Sequence, residues 1–259
     1  MFSFFIRKPQ IVLDCFTSNH DAFHLTPIVE GIKTYPDWWK QLPVIDSTSY
    51  HYNDGNYNEG SYLENGKDKN DNTLNMKRCY GFTELFRRSA VIESWSDINI
   101  RIIKDNIYPS CSNGPLPEQH PSHQYGNAFT NYNHIKFKSP WRFKEKTGVN
   151  FLLICAEWHL DEYNLKMPPG CLDFRTQHYI NINTFLPKQD TTNISIKSGA
   201  PLAYLIPLSE SKLKINNHFV DELELEKLSS VNRSFYGYRH HINLIERNEK
   251  RSKCPFHFG

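Results

Sequence analysis

The sequence predicts a mainly β protein: a β-sandwich or barrel-like core, preceded by an extended N-terminal arm and followed by a C-terminal helical tail. Three observations carry this. Residues 135–209 string together strand-like runs, IKFKSPWRF, VNFLLICAEW, HYININTFLP and ISIKSGAPLAYLIP, separated by turn sequences such as MPPG. Aromatic side chains make up 14% of the chain, which favours pleated surfaces over slim helical bundles. Segments rich in Asn, Pro and Gly recur between the apolar runs, as expected for many short strands joined by turns.

Along the chain, residues 1–45 form the N-terminal arm and a first strand, QIVLDCF. Pro27, Pro36 and Pro43 then deny this stretch any long helix. Between two of these prolines, Trp38 and Trp39 read as aromatic anchors that plug an extended segment onto a body. Residues 46–75, dense in Asn, Asp, Gly and Ser, read as a flexible polar loop. The β-rich core spans 76–209. It opens on a short helix, TELFRRS, with Thr83 placed to cap it. AVIESWSDINIRIIKD follows as a strand pair or one bent strand: Ile98, Ile100 and Ile102 alternate with polar residues, and Ile103 breaks the rule. Residues 108–133 are a second long connection. Residues 210–259 form the helical tail, with Leu223, Leu225, Leu228, Ile242 and Ile245 on an apolar stripe that Gly237 interrupts.

Composition narrows the function classes. The net charge of +2 is nearly balanced and no basic stripe marks a nucleic-acid surface. No apolar run reaches the roughly 20 residues that span a bilayer. The start MFSFFIRKPQ places its charges after its apolar residues, the reverse of a secretion signal. The expectation is therefore a protein that is not secreted and has no membrane contact. Cys15, Cys79, Cys111, Cys155, Cys171 and Cys254 are scattered without a Cys-x-x-Cys pair, which suits free thiols in a reducing compartment.

Chemistry-bearing groups are few. His159 and Asp161, two apart, share a face if they lie on a strand, and with His218 as a third ligand they would form a two-His-one-carboxylate iron site. Arg233 or Arg239 would then hold an acidic cosubstrate. The bland alternative ends a strand at Trp158 and turns into solvent. Cys15 with His20 and His24, Cys111 with His120 and His123, and the terminal Cys254 with His257 are too loosely spaced for a structural zinc knuckle, although a composite site could draw on them. Asp173, just after Pro168-Pro169-Gly170, is the carboxylate to test for catalysis; its plainer role is to bond turn amides. His240 and His241 are neighbours and would diverge on a helix, and Asp221, Glu222 and Glu224 suit a helix start. Neither a Gly-rich phosphate loop nor a Gly-x-Ser-x-Gly elbow occurs.

Taken together, Lys77-Arg78-Cys79, Ser94-Trp95-Ser96-Asp97-Ile98, Lys138-Ser139-Pro140-Trp141-Arg142, Gly170-Cys171-Leu172-Asp173 and Gly199-Ala200-Pro201-Leu202-Ala203 make the chain resemble an uncharacterised protein family of tailed bacteriophages, T4-like phages of marine bacteria. That resemblance covers about residues 27–235 and implies a setting, the host cytoplasm or the virion, with no catalytic residues to carry over. Gly170, Asp173, Tyr179 and Gly199 are also similar in order to the strand-turn-strand that closes the dUTPase-like β fold, though Tyr179 stands six residues past Asp173 and the other motifs of that fold are missing. The implication is shared β architecture without shared activity.

The reading that follows is a phage-encoded structural or interaction protein, self-associating or bound to other phage proteins, with no cofactor. The alternative is an enzyme made during infection, either a cupin-like iron enzyme (or one using zinc) or a nucleotide-processing one. Convergence of His, Asp and Arg side chains in one pocket would favour the enzyme, and dispersal the interaction protein.

Overall fold

The computed structural model describes residues 10–43, 75–104, 106–121, 123, 125–126, 128–159, 165–189, 191–229 and 243. Strands dominate, arranged in three open sheets around one core, and no sheet closes into a barrel among the described residues. The first sheet consists, in spatial order, of Tyr179–Pro187 (β10), Tyr132–Glu145 (β7), Gln10–Thr17 (β1) and Lys212–Phe219 (β13), with Glu118–Gln119 (β6) pairing along β7. β1 is an inner strand. It runs antiparallel to β7 and parallel to β13, in a register that matches Gln10 with Lys212 through to Thr17 with Phe219.

One face of this sheet is apolar and the other polar, and the sequence alternates accordingly. Ile11, Leu13 and Cys15 of β1, Phe137 and Phe143 of β7, and Ile180 and Ile182 of β10 point into the core. The intervening residues, among them Asp14, Lys136, Lys138 and Asn181, stay partly exposed. Pro140 sits inside β7 because the pairing is irregular there: Tyr179 opposes Arg142 while Asn181 opposes Lys138. The Pro140 carbonyl accepts a hydrogen bond from Thr17 Oγ1 (3.1 Å), which ties the irregularity to β1. At the end of β7, the buried carboxylate of Glu145 accepts from the amides of Gly148 (2.8 Å), Val149 (3.1 Å) and Thr147 and so builds the next turn.

Two smaller sheets make the opposite layer. One orders Val29–Glu30 (β2), Ala90–Glu93 (β3), Pro201–Pro207 (β12), Phe151–Cys155 (β8) and Gly170–Leu172 (β9); the other orders Thr191–Ile196 (β11), Ile98–Ile103 (β4) and Asn106–Cys111 (β5). They are two halves of one bent ladder. β3 continues into β4 and β11 into β12, and both breaks fall at the same level. There the Ser94 amide donates to the Ala200 carbonyl, the Gly199 amide to the Ser94 carbonyl, and the Ser198 amide to Asp97 Oδ1. Ile98, Ile100 and Ile102 face the core in strict alternation, and Ile103 leaves it.

The β3–β12–β8 sheet is covered on both faces, which explains why AVIE, FLLIC and PLAYLIP read as continuous apolar runs. Ala90, Ile92, Leu153, Ala203 and Leu205 join the main core, while Val91 and Tyr204 join a second cluster with Phe82 and Phe86. That cluster lies under an aromatic cap built by two helices, Asp37–Gln41 (α2) and Tyr80–Arg88 (α3). Gly31 lets the cap close: a Cβ there would sit 2.2 Å from Ser89 Oγ and 2.6 Å from the Phe86 carbonyl oxygen.

Three sequence expectations need correcting. Residues 210–259 begin with a strand at the edge of the first sheet, β13, before the helix Glu222–Ser229 (α4); KLKINNHF alternates too weakly to announce itself. Thr83 does not cap α3, which starts three residues earlier; its hydroxyl donates back to the Cys79 and Tyr80 carbonyls (3.2 and 3.1 Å). The long connection at 108–133 holds the end of β5, all of β6 and the start of β7. The loop at 46–74, Gly237 and the later stripe residues Ile242 and Ile245 lie outside the described residues. Leu13→Ala, which empties a fully buried site in β1, should lower the unfolding free energy by about 2–5 kcal/mol in chemical denaturation. Deleting residues 10–17 should abolish cooperative unfolding, whereas a free arm could be cut away without loss.

Candidate functional site

The groups singled out from the sequence fall in separate places. Asp173 follows β9 and organises the turn into β10. Its Oδ1 accepts from the amide and Nε of Arg175 (both 3.0 Å), and its Oδ2 accepts from the same guanidinium at 2.9 Å. Burial works to raise its pKa, but the bonds and charge of Arg175 outweigh this and hold the carboxyl below the ordinary range. The main-chain oxygen of Asp173 accepts from Thr176 and Gln177 as well. This is the turn-bonding role, with the carboxylate committed to its neighbour.

His218 lies on the polar face of the first sheet, stacked on Phe16 at 4.7 Å and with Nε2 3.1 Å from Asp14 Oδ1, which also accepts from Asn216 (2.9 Å). Burial tends to raise the Asp14 pKa, and these two bonds bring it below normal. His159 lies across the molecule, in a short 3₁₀ turn after β8, its ring 6.1 Å from those of both Phe86 and Tyr204 in the aromatic cap. The main core separates His159 from His218, so the two do not share an ion; His159 is half-buried against the cap, while Trp158 packs edge-on to Phe82 and stays exposed to solvent. Asp161, Arg233, Arg239, His240, His241, Cys254 and His257 lie outside the described residues.

The looser Cys/His sets at Cys15 and Cys111 do not assemble among the described residues either. Cys15 points into the core while the His20 and His24 rings meet at a tilt outside it, 4.4 Å apart. Among the described residues no group of three or more His, Cys, Asp or Glu is arranged to hold a metal. Nor is any described helix long and apolar enough to cross a membrane. The residues similar in order to the dUTPase-like fold are also split: Tyr179 lines a cleft on the first sheet, Gly199 one at the cap, and Asp173 neither.

Those two clefts are the ones that take up residues singled out from the sequence. The larger, about 770 Å³, lies on the polar face of the first sheet and is floored by Lys136, Lys138, Arg142, Tyr179 and Asn181, with Glu222 and Leu225 of α4 at its side. Its charges are matched internally: Glu118 bridges Lys136 (3.3 Å) and Lys138, and Arg142 donates to the Ser139 and Trp141 carbonyls (3.2 Å each) beside the charge of Glu222.

The cap is the more unusual place. Trp39 stacks on Tyr35 at 3.9 Å, Tyr35 on Phe86 at 4.7 Å, and Trp38 donates its Nε1–H to the Trp158 carbonyl (2.8 Å). Trp38 and Trp39 thus anchor their segment on the body of their own chain, from the short helix α2 and not from the extended stretch the sequence suggested. Beside them opens a cleft of about 430 Å³ that reaches Glu93, the last residue of β3, and His159. Burial pushes Glu93 up to about 7, with no neighbouring charge acting on it. Burial, then the charge of Lys40, pushes His159 down to about 4, against a smaller pull from Asp37. His159 Nε2 and the Tyr204 hydroxyl are buried with no partner among the described residues, and burial raises the Tyr204 phenol. Reasoning from sequence alone passed over Glu93; the available signal was a lone carboxylate ending the apolar run SAVIESW.

No family model, curated protein or solved structure matches this chain.

Two outcomes follow for the carboxylates. Asp173→Asn should lower the unfolding free energy by about 1–2 kcal/mol at neutral pH. Because the folded carboxyl titrates low, that difference should hold above the ordinary carboxylate range and vanish as pH falls through the depressed value. Glu93 has the opposite sign. Its folded form holds its proton to about 7, so wild-type stability falls as pH rises from the ordinary carboxylate range to that value. Glu93→Gln should therefore match wild type in melting temperature near pH 4 and exceed it near pH 8.

Proposed function

We propose that the chain is a β-rich interaction protein that associates with itself through its aromatic cap, in the setting of a tailed phage and its host. The observation that supports this most is dispersal. Asp173, His159 and His218 each meet different neighbours in different parts of the fold, and the resolved partners of Asp173 and His218 are structural. The cap offers what association needs. Trp158 is 40% exposed, Tyr80 75% and Ile32 46%, and all three ride on elements that build the cap, over packed rings of which Phe82 and Phe86 are buried and Tyr35 and Trp39 half-buried. Exposed aromatics on a preorganised base lose little side-chain entropy on docking.

The resemblance of the Lys138–Arg142 and Gly199–Ala203 segments to the phage family supplies the biological setting. An enzyme remains the rival reading, and the Glu93 cleft is where it would act. Sedimentation of the purified chain over a range of concentrations tests the proposal. The expected result is a dimer or larger assembly that Trp158→Ser with Tyr80→Ser disperses while the circular dichroism spectrum holds. A monomer at every concentration up to about 100 μM would contradict it, since stable interfaces dissociate well below that.

A further inference from the structure

We infer that the cleft beside the aromatic cap is a binding site for a guanidinium group on an alkyl stem, with Glu93 as its carboxylate partner. The site goes beyond self-association and stands on the cleft itself. At about 430 Å³ the space is in the range of small-ligand pockets, and it is walled by Trp38 and Pro201, which give an apolar bed for a stem. The Glu93 side chain makes no hydrogen bond or ion pair among the described residues, and burial alone acts on its titration. A carboxylate in that position carries a desolvation penalty that an incoming cation would offset, because the pair forms where water is already reduced.

The lysines at the cleft do not fill this role. Lys40 is committed to Asp37 at 2.9 Å, Lys33 is exposed, and neither contributes to the titration of Glu93. The Glu93 carboxylate itself presents two acceptor oxygens to one donor head. That matches the planar fork of a guanidinium better than the single point charge of an ammonium.

The charged and titratable groups lining the cleft with Glu93 are Lys33, Tyr35, Asp37, Lys40 and His159, with the buried Tyr204 beside His159. Glu93 titrates near neutrality, whereas burial pushes His159 down to about 4 and the Tyr35 phenol up. Burial holds Glu93 protonated into the neutral range, so binding should strengthen as pH rises through about 7.

The test is a calorimetric and NMR titration of the full chain with N-acetylarginine methylamide, whose guanidinium keeps its charge throughout. Binding is expected near pH 8, roughly thirtyfold weaker near pH 5.5 as Glu93 takes its proton, and at least about tenfold weaker in Glu93→Gln at pH 8. The corresponding citrulline derivative, neutral and of the same shape, should not bind. Equal affinity in Glu93→Gln, or no binding to the folded wild type at millimolar ligand, would overturn the site. Sedimentation with the ligand present separates the sources of the group. Dispersal of the assembly points to an arginine side chain of a second copy, an arm that rests on the self-association reading. An unchanged assembly with ligand bound points to a free guanidino compound. A chain that is monomeric yet binds the ligand rejects the association reading and leaves the site standing.

Discussion

The fold depends on β1. Gln10–Thr17 is gripped on one edge by β13 and on the other by β7, so residues more than 200 positions apart in sequence are laid side by side in one sheet. Its inward side chains, Ile11, Leu13 and Cys15, lie in the same cluster as the isoleucines of β4 and β11. A parallel pairing closed over nearly the whole chain costs loop entropy before it returns any contact, and only the apolar core beneath it can offset that. The outer consequences follow from the same strand. The turn after β1 holds α1 (His20–His24), capped by Asn19, whose Oδ1 accepts from the Ala22 amide at 2.8 Å. Ser18 then donates to Glu222 at the start of α4, so the helix after the last described strand is held by the segment after the first.

Opposite that sheet, burial on both faces sets the character of the protein. A sheet wetted on one side would need no cap, but β3, β8 and β12 carry apolar residues on each face. Tyr35, Trp38, Trp39, Phe82 and Phe86 meet that demand with stacked and tilted rings. The polar groups caught beneath them, Glu93, His159 and Tyr204, are the strained electrostatic points of the structure, where burial and not ion pairing governs titration. Elsewhere the charged side chains have answers close at hand: Asp173 has Arg175, Asp14 has His218, and Glu118 has two lysines. The candidate site is thus distinguished by what is missing around its carboxylate, more than by any motif.

Much of the architecture was legible from residue pattern. The period-two alternation of INIRI and YININ placed β4 and β10, and the turn chemistry of MPPG placed the approach to β9. The plain-looking role of Asp173 also followed from its place after that turn. What the pattern could not reveal depends on long-range partners. KLKINNHF has three polar residues in succession on what proves to be a solvent-facing edge strand, and its identity as a strand comes from β1, not from itself. His159 and His218 looked combinable because sequence carries no information about which side of a core each will reach. Glu93 went unnoticed because a single carboxylate ending an apolar run gives no motif, and its significance appears only when the cleft around it is seen.

Hydrogen–deuterium exchange of the full chain at low and high protein concentration tests the central claim most directly, because it reads the inner strand and the cap at once. The account predicts that the amides of 11–16 exchange among the slowest at both concentrations. It also predicts that added protection at high concentration is confined to 31–41, 80–88 and 157–159. Protection that does not change with concentration, or that rises on the polar face of the first sheet instead of the cap, would contradict it.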